Sequence, residues 1–174
     1  MGYPAVSTIR FSTRKSMSAN LYESDFFGWT QRQSELLRAG RFEEVDTEHL
    51  IEEIEAMGRS ERQQLTRRLE ILLTHLLKWR YQPDFRGRSW QLTIIEQRRR
   101  IAKLLAANPS LQARLDACFL DAYDDARFGA MRETGLALEV FPEQPEIDLS
   151  KTLAPDYWPE QGQKQPDNFG PEAE

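Results

Sequence analysis

Apolar side chains recur about once per helical turn along most of the chain, and this spacing predicts helices throughout. It is strongest in Leu65, Leu69, Leu72, Leu73, Leu76, Leu77 and Trp79. At about 100° per residue these positions cover nearly half of a helix surface, which predicts a central, buried helix. It begins at a capping box, Ser60 with Gln63, and ends near Arg80, before Pro83. Upstream, a helix over Ser24–Arg38 carries an inner face of Phe26, Trp29, Gln33 and Leu37, with Ser24 or Asp25 as cap and Gly40 as terminator. Another begins near Asp46, ends at Gly58 and carries the stripe Leu50, Ile54 and Met57. The alternative to two separate helices here is one long helix kinked at Gly58. Downstream, Ser89 caps a helix that ends near Ala107, with the stripe Trp90, Ile94, Ile101, Leu104 and Leu105. Ser110 caps the last, which ends at Gly135 and carries Leu111, Leu115, Cys118, Ala122, Ala126 and Gly129. The small residues of that last stripe let a neighbouring helix come close.

After Gly135 the chain turns rich in proline, at Pro142, Pro145, Pro155, Pro159, Pro166 and Pro171. This predicts an extended arm with one short helix near Asp148–Leu153. Helix follows helix through short connections without a convincing strand, so the fold class is all-α: an up-and-down bundle of about five helices with an extended Pro-rich C-terminal arm. The expected organisation is a disordered N-terminal tail over 1–20, a helical bundle over 21–140, an arm over 141–160 that packs on the bundle, and a disordered tail over 161–174. Met17 is an alternative start.

Composition narrows the class further. The chain has 174 residues, of which 40% are hydrophobic and 29% charged, a globular balance rather than a disordered one. No apolar run approaches the roughly 20 residues of a membrane span, and the basic, Ser-rich N-terminus lacks the apolar core of a secretory signal. The lone cysteine, Cys118, sits on an apolar stripe and reads as a small buried hydrophobe. These features point to the cytoplasm. The net charge of −5 is unevenly spread: residues 59–103 carry +8, against −4 before them and −9 after. Charge matching between the helices of one bundle accounts for this more simply than a nucleic-acid footprint, since an acidic protein repels phosphate at long range.

Candidate chemistry lies where polar residues fall on or beside apolar stripes. Gln97 lies mid-stripe between Ile94 and Ile101, and a buried glutamine needs partners. Gln97, Arg98 and Asp125 are expected to form a structural polar cluster. Arg98, Arg99 and Arg100 point about 100° apart, so they make no contiguous patch. Glu53, His75 and Arg98 are the candidates for acid–base chemistry if they converge. Asp46-x-x-His49 is the nearest approach to the Glu-x-x-His of metal-binding bundles; it occurs once, and with two histidines the ligand count falls short. No metal or cofactor is expected. The segment Trp79–Trp90 interleaves aromatic and cationic residues, which suits stacking on single-stranded bases and singles out Arg80, Tyr81, Phe85, Arg86 and Arg88. The alternative is a helix–helix turn whose aromatics plug the bundle end. Walker, dinucleotide, nucleophile-elbow and zinc spacings are absent.

Several stretches resemble one family in order. They are Leu21-Tyr22-Glu23-Ser24-Asp25-Phe26-Phe27-Gly28-Trp29-Thr30, then Leu50-Ile51-Glu52-Glu53-Ile54-Glu55 and Gly58-Arg59-Ser60-Glu61. His75-Leu76-Leu77-Lys78-Trp79, Tyr81-Gln82-Pro83 and Ser89-Trp90 follow, then Gln97-Arg98, Pro109-Ser110-Leu111, Tyr123, Ala126-Arg127 and Glu133-Thr134-Gly135. Together they resemble domain-of-unknown-function family 29, a bacterial family abundant in cyanobacteria, over roughly residues 21–158. The resemblance implies a cytoplasmic helical domain and no established activity. His49 stands where the family often carries Asn, and the family's usual opening favours Met17 as the start.

Polarised charge, the Pro-rich arm and the missing catalytic spacings favour a non-enzymatic helical module that docks a protein partner or its own copy, with no membrane role. Single-stranded nucleic-acid binding through the 79–90 turn is the second reading. An enzyme with a polar site between helices is the third.

Overall fold

A computed structural model gives the fold of residues 21–160. Residues 1–20 and 161–174, with the two expected tails and Met17, lie outside the described residues. Among the described residues every regular element is helical, as the periodicity predicts, and no helix is long and apolar enough to cross a membrane. Residues 21–24 are helical and lead into α1 (Phe26–Arg38), α2 (Thr47–Tyr81), α3 (Arg88–Ala107), α4 (Leu115–Thr134) and the short α5 (Leu149–Leu153). Single 3-10 turns occupy Phe42–Glu44, Pro83–Phe85 and Leu138–Val140, and a longer 3-10 stretch occupies Pro109–Arg114.

Of the two ways to read the centre of the sequence, the single long helix is the one that forms. α2 runs through Gly58 and Ser60 for 35 residues. A glycine weakens a helix interior by about 1 kcal/mol but ends it only where the backbone turns left-handed, and Gly58 does not. Gly40 and Gly135 do, at φ 68° and 74°, and there the helices stop.

The chain divides into two compact units, one up to Arg59 and the other from Ser60. In the first, Asp25 caps α1 through a hydrogen bond accepted from the Gly28 N–H at 2.9 Å. Such a cap is worth about 1 kcal/mol. α1 buries Trp29, Gln33 and Leu36, joined in the core by Val45 and Asp46. Leu36 takes the place expected of Leu37, and Phe26 is exposed. The reason is angular: Leu36 lies seven residues from Trp29, about 20° off its line, whereas Leu37 lies about 80° off. The stripe expected to be inward on the first part of α2 is also corrected, because Ile54 and Met57 face outward.

The second unit holds the main core. The rest of α2 supplies Leu65, Leu69, Leu72, Leu73, Leu76 and Leu77, all buried, and is the central helix its pattern predicts. α3 adds Ile94, Ile101 and Leu104, and α4 adds Leu115, Cys118, Phe119, Ala122, Tyr123, Ala126 and Ala130. The small face of α4 meets α2 closely: a Cβ on Gly129 would lie 2.9 Å from Thr74 Oγ1. The caps differ from expectation at two helix starts. Gly87 precedes α3 and leaves Ser89 inside it, and Ser110 lies in the 3-10 stretch before α4. A proline at the head of that stretch tightens the first turns before the α-helix takes over.

Within the second unit, residues 141–160 pack against its helices. Phe141 is fully buried and meets the Tyr81 ring edge-on at 5.5 Å. Tyr123 Oη donates to the Pro142 carbonyl at 2.8 Å, and Arg127 Nε to the Phe141 carbonyl at 3.1 Å. Asp148 caps α5 by accepting from the Lys151 N–H at 2.7 Å.

Candidate functional site

Two places concentrate chemistry, one in each unit. In the first unit a buried carboxylate organises a polar network. Asp46 is only 2% exposed. Its Oδ2 accepts from Trp29 Nε1 at 3.3 Å and lies 2.8 Å from His49 Nδ1. Its own N–H donates to Gln33 Oε1 at 2.8 Å. Tyr22 stacks on the His49 ring at 4.1 Å, meets Trp29 edge-on at 4.9 Å, and donates its hydroxyl to Glu53 Oε1 at 2.6 Å. The hydrogen bond to Asp46 raises the His49 pKa above its ordinary value, and the bond to Glu53 pushes the Tyr22 phenol up to about 12. The network orders the start of α2 against α1. Among the described residues no group of three His, Cys, Asp or Glu side chains is placed to hold a metal.

In the second unit the turn between α2 and α3 bounds an open groove of about 470 Å³, lined by Trp79, Arg86, Gly87, Arg88, Gln91, Leu92 and Ile95. Leu92 and Ile95 lie one helical turn apart on the outward face of α3, and Phe85 is exposed on the turn itself. Arg86 is fixed: its Nε donates to the Trp79 carbonyl at 2.7 Å and its guanidinium lies 5.2 Å from the Trp79 ring. Its buried Nη2 finds no acceptor among the described residues. Trp158, from the arm, packs on Trp79 at 4.7 Å. The groove therefore has an aliphatic wall, an aromatic base and a cationic rim.

The residues singled out from the sequence fall as follows. Of the basic-aromatic set, Arg86 and Arg88 line the groove, and Phe85 is exposed on the turn. Arg80 and Tyr81 turn to the arm: Arg80 pairs with Glu146 at 2.6 Å, and burial raises the Tyr81 phenol pKa. Trp90 lies under the Lys78 ammonium, 4.4 Å from its centroid, and Lys78 pairs with Glu133 at 2.6 Å. Phe85 is thus the one exposed ring among Trp79, Tyr81, Phe85 and Trp90.

The acid–base candidates are each engaged elsewhere. Glu53 belongs to the first unit and is held by Tyr22. In the second unit, His75 Nδ1 lies 2.8 Å from the Ile71 carbonyl one turn back, and burial lowers its pKa. Arg98 is buried and donates to three arm carbonyls: Nε to Thr152 at 2.9 Å, Nη1 to Pro155 at 3.3 Å and Nη2 to Tyr157 at 2.8 Å. Desolvation lowers its pKa, and the guanidinium lies 5.7 Å from the Trp158 ring. Gln97 is buried, but its Oε1 has no partner among the described residues, and Asp125 lies on the exposed face of α4. No hydrogen bond joins Gln97, Arg98 and Asp125, so the expected cluster is replaced by a clamp from Arg98 to the arm. Asp125 precedes the buried Ala126 by one residue, and about 100° of helical rotation turns it to water.

Sequence reasoning passed over Leu92, Ile95 and Trp158. The signal for the first two was present: apolar residues three apart that fall off the inner stripe of their own helix. Trp158 stood out only as a tryptophan in an otherwise polar, Pro-rich arm.

Residues 21–158 match the family described as Domain of unknown function DUF29. No curated protein and no solved structure matches the chain.

Proposed function

The chain belongs to the DUF29 family, whose description assigns no activity, and from that premise we propose that it is a non-enzymatic docking module for a partner protein. The partner element is an acidic segment that carries a bulky apolar side chain, and the groove beside α3 receives it. The single observation that carries this reading is the pairing of exposed Leu92 and Ile95 with Arg86 and Arg88 around one groove. An aliphatic wall takes up an apolar side chain. A carboxylate beside it pairs with the exposed Arg88 at the rim. The scattered engagement of Glu53, His75 and Arg98 favours docking over catalysis. Burial of the free thiol Cys118 suits a reducing cytoplasm.

The nucleic-acid reading is less well supported. It needs several exposed rings in series; Trp79, Tyr81 and Trp90 are each packed against other side chains.

Selection of displayed random dodecamer peptides on the immobilised protein tests the proposal. The expected result is enrichment of sequences that place Asp or Glu beside Leu, Phe or Trp, with synthetic versions binding at least about tenfold more weakly to Arg88→Glu and Leu92→Asp. Enrichment no greater than on the Leu92→Asp protein overturns it. So does salt-sensitive binding of a fluorescent oligothymidylate that Arg88→Glu abolishes and Leu92→Asp leaves intact, which instead supports the nucleic-acid reading.

A further inference from the structure

α2 carries an apolar stripe that nothing described covers. Ile51, Ile54 and Met57 are 57%, 60% and 69% exposed, with Leu50 half-buried beside them. The spacing 50, 54 and 57 is that of a helix face made to meet another helix. Gly58 lies on the same side of the helix, next to Met57. A glycine inside a helix weakens it, and it persists where a backbone must approach closely or turn left-handed. Gly58 does neither among the described residues: its φ is not positive, and a Cβ built on it meets none of their atoms within 4 Å. The close approach that Gly58 allows is therefore left unused by every described residue.

Charge identifies what that is. Before Gly58, α2 carries Glu48, Glu52, Glu53 and Glu55; after it come Arg59, Arg62, Arg67 and Arg68, with Glu61 the one acidic residue among them. Charge of one sign on one side of a point, and of the other sign on the other side, is self-complementary under a two-fold rotation about that point. Two copies crossing antiparallel at Gly58 lay each acidic half along the basic half of the other, whereas a parallel pair sets like against like. A closed two-fold contact of this kind uses the same patch on both copies.

We propose that the occupant of this stripe is a second copy of the chain, docked antiparallel through α2, with Ile54 and Met57 packed across the axis and Gly58 at the point of closest approach. The surface is separate from the groove beside α3, and the proposal does not depend on what that groove binds.

Sedimentation equilibrium of the full chain over a range of micromolar concentrations tests it. The expected result is a reversible dimer. Met57→Glu and Gly58→Leu each weaken it at least about tenfold, with the helical circular-dichroism signal unchanged. Glu55→Arg and Arg62→Glu each weaken it alone and restore it together. A monomer at every concentration overturns the proposal and leaves the stripe to a different partner. A dimer unaffected by Met57→Glu and Gly58→Leu also overturns it, because the contact then lies elsewhere.

Discussion

Replacing Arg98 with Met removes the guanidinium and keeps most of the buried stem, so it isolates the clamp on the arm. Three carbonyls lose a donor, those of Thr152, Pro155 and Tyr157. At about 2 kcal/mol for each charge-assisted bond, a simple sum gives about 6 kcal/mol. That sum is too large. Pro155 is exposed and Tyr157 half-buried, so water replaces the lost donor at little cost. Thr152 is fully buried, and its carbonyl is left without a partner at a cost of about 1–3 kcal/mol. Removing a cation that burial already disfavours recovers part of the loss. A net loss of about 2 kcal/mol remains, confined to the arm. Hydrogen exchange of the α5 amides measures it directly, and about 2 kcal/mol corresponds to roughly 30-fold faster exchange at Thr152. Arg98→Lys should behave nearly as Arg98→Met, because an ammonium cannot span three carbonyls as a planar fork does. Unchanged exchange in Arg98→Met would refute the clamp; wild-type exchange in Arg98→Lys would show that charge, not fork geometry, holds the arm.

Three further outcomes are expected. Gly129→Ala gains about 1 kcal/mol in helix propensity but drives a Cβ to 2.9 Å from Thr74 Oγ1, on a side chain too buried to swing away. Overpacking prevails, with a net loss of about 1–2 kcal/mol in urea titration that Thr74→Ala relieves in the double variant; a single variant as stable as the parent contradicts this. The two histidines should titrate on opposite sides of 6.5 when followed by their ring proton resonances, His49 above and His75 below. His49 binds its proton more tightly when folded, so its contribution is complete below pH 6.5 and fades as the pH rises through the folded value. His75 resists protonation when folded, so stability is lost as the pH falls below 6.5. Asp46→Asn should return His49 towards 6.5, and no such movement would mean that the 2.8 Å contact is not what raises it. Cys118, buried in the core, should react with a thiol reagent only on unfolding; reaction of the native protein at the unfolded rate contradicts its burial.

The elements legible from the sequence were those where several local signals agree. The leucines of α2 from Leu65 onward repeat at one phase, Gly135 ends α4 where the stripe ends, and Asp148 caps the short helix of the arm. Where two phases are equally apolar, the sequence is ambiguous. Leu36 and Leu37 are neighbours of one type, and only the packing of Trp29 and Gln33 selects Leu36. The candidate groove was half legible. Its cations, Arg86 and Arg88, stand in a compact run, but its aliphatic wall comes from α3 residues that the inner stripe leaves out. The role of Arg98 was not legible at all, because its partners are main-chain carbonyls, which carry no mark of residue identity.

The first part of α2 shows why a correct period does not fix a correct burial. Leu50, Ile54 and Met57 have the spacing of an inner face, and in the chain as described Ile54 and Met57 are open to water. Periodicity reports that a face avoids solvent, and it is silent on whether the cover comes from the same chain. Two things on that face argue for a cover from another. An interior glycine weakens the helix by about 1 kcal/mol where no described residue makes use of the space above it. The sign of the charge also changes at that same residue, with Glu55 on one side and Arg59 on the other. The intramolecular pair they form, at 3.4 Å between two exposed side chains, is too weak to account for the pattern. Both features suit an antiparallel contact between two copies, and no described residue of the chain supplies a cover of its own.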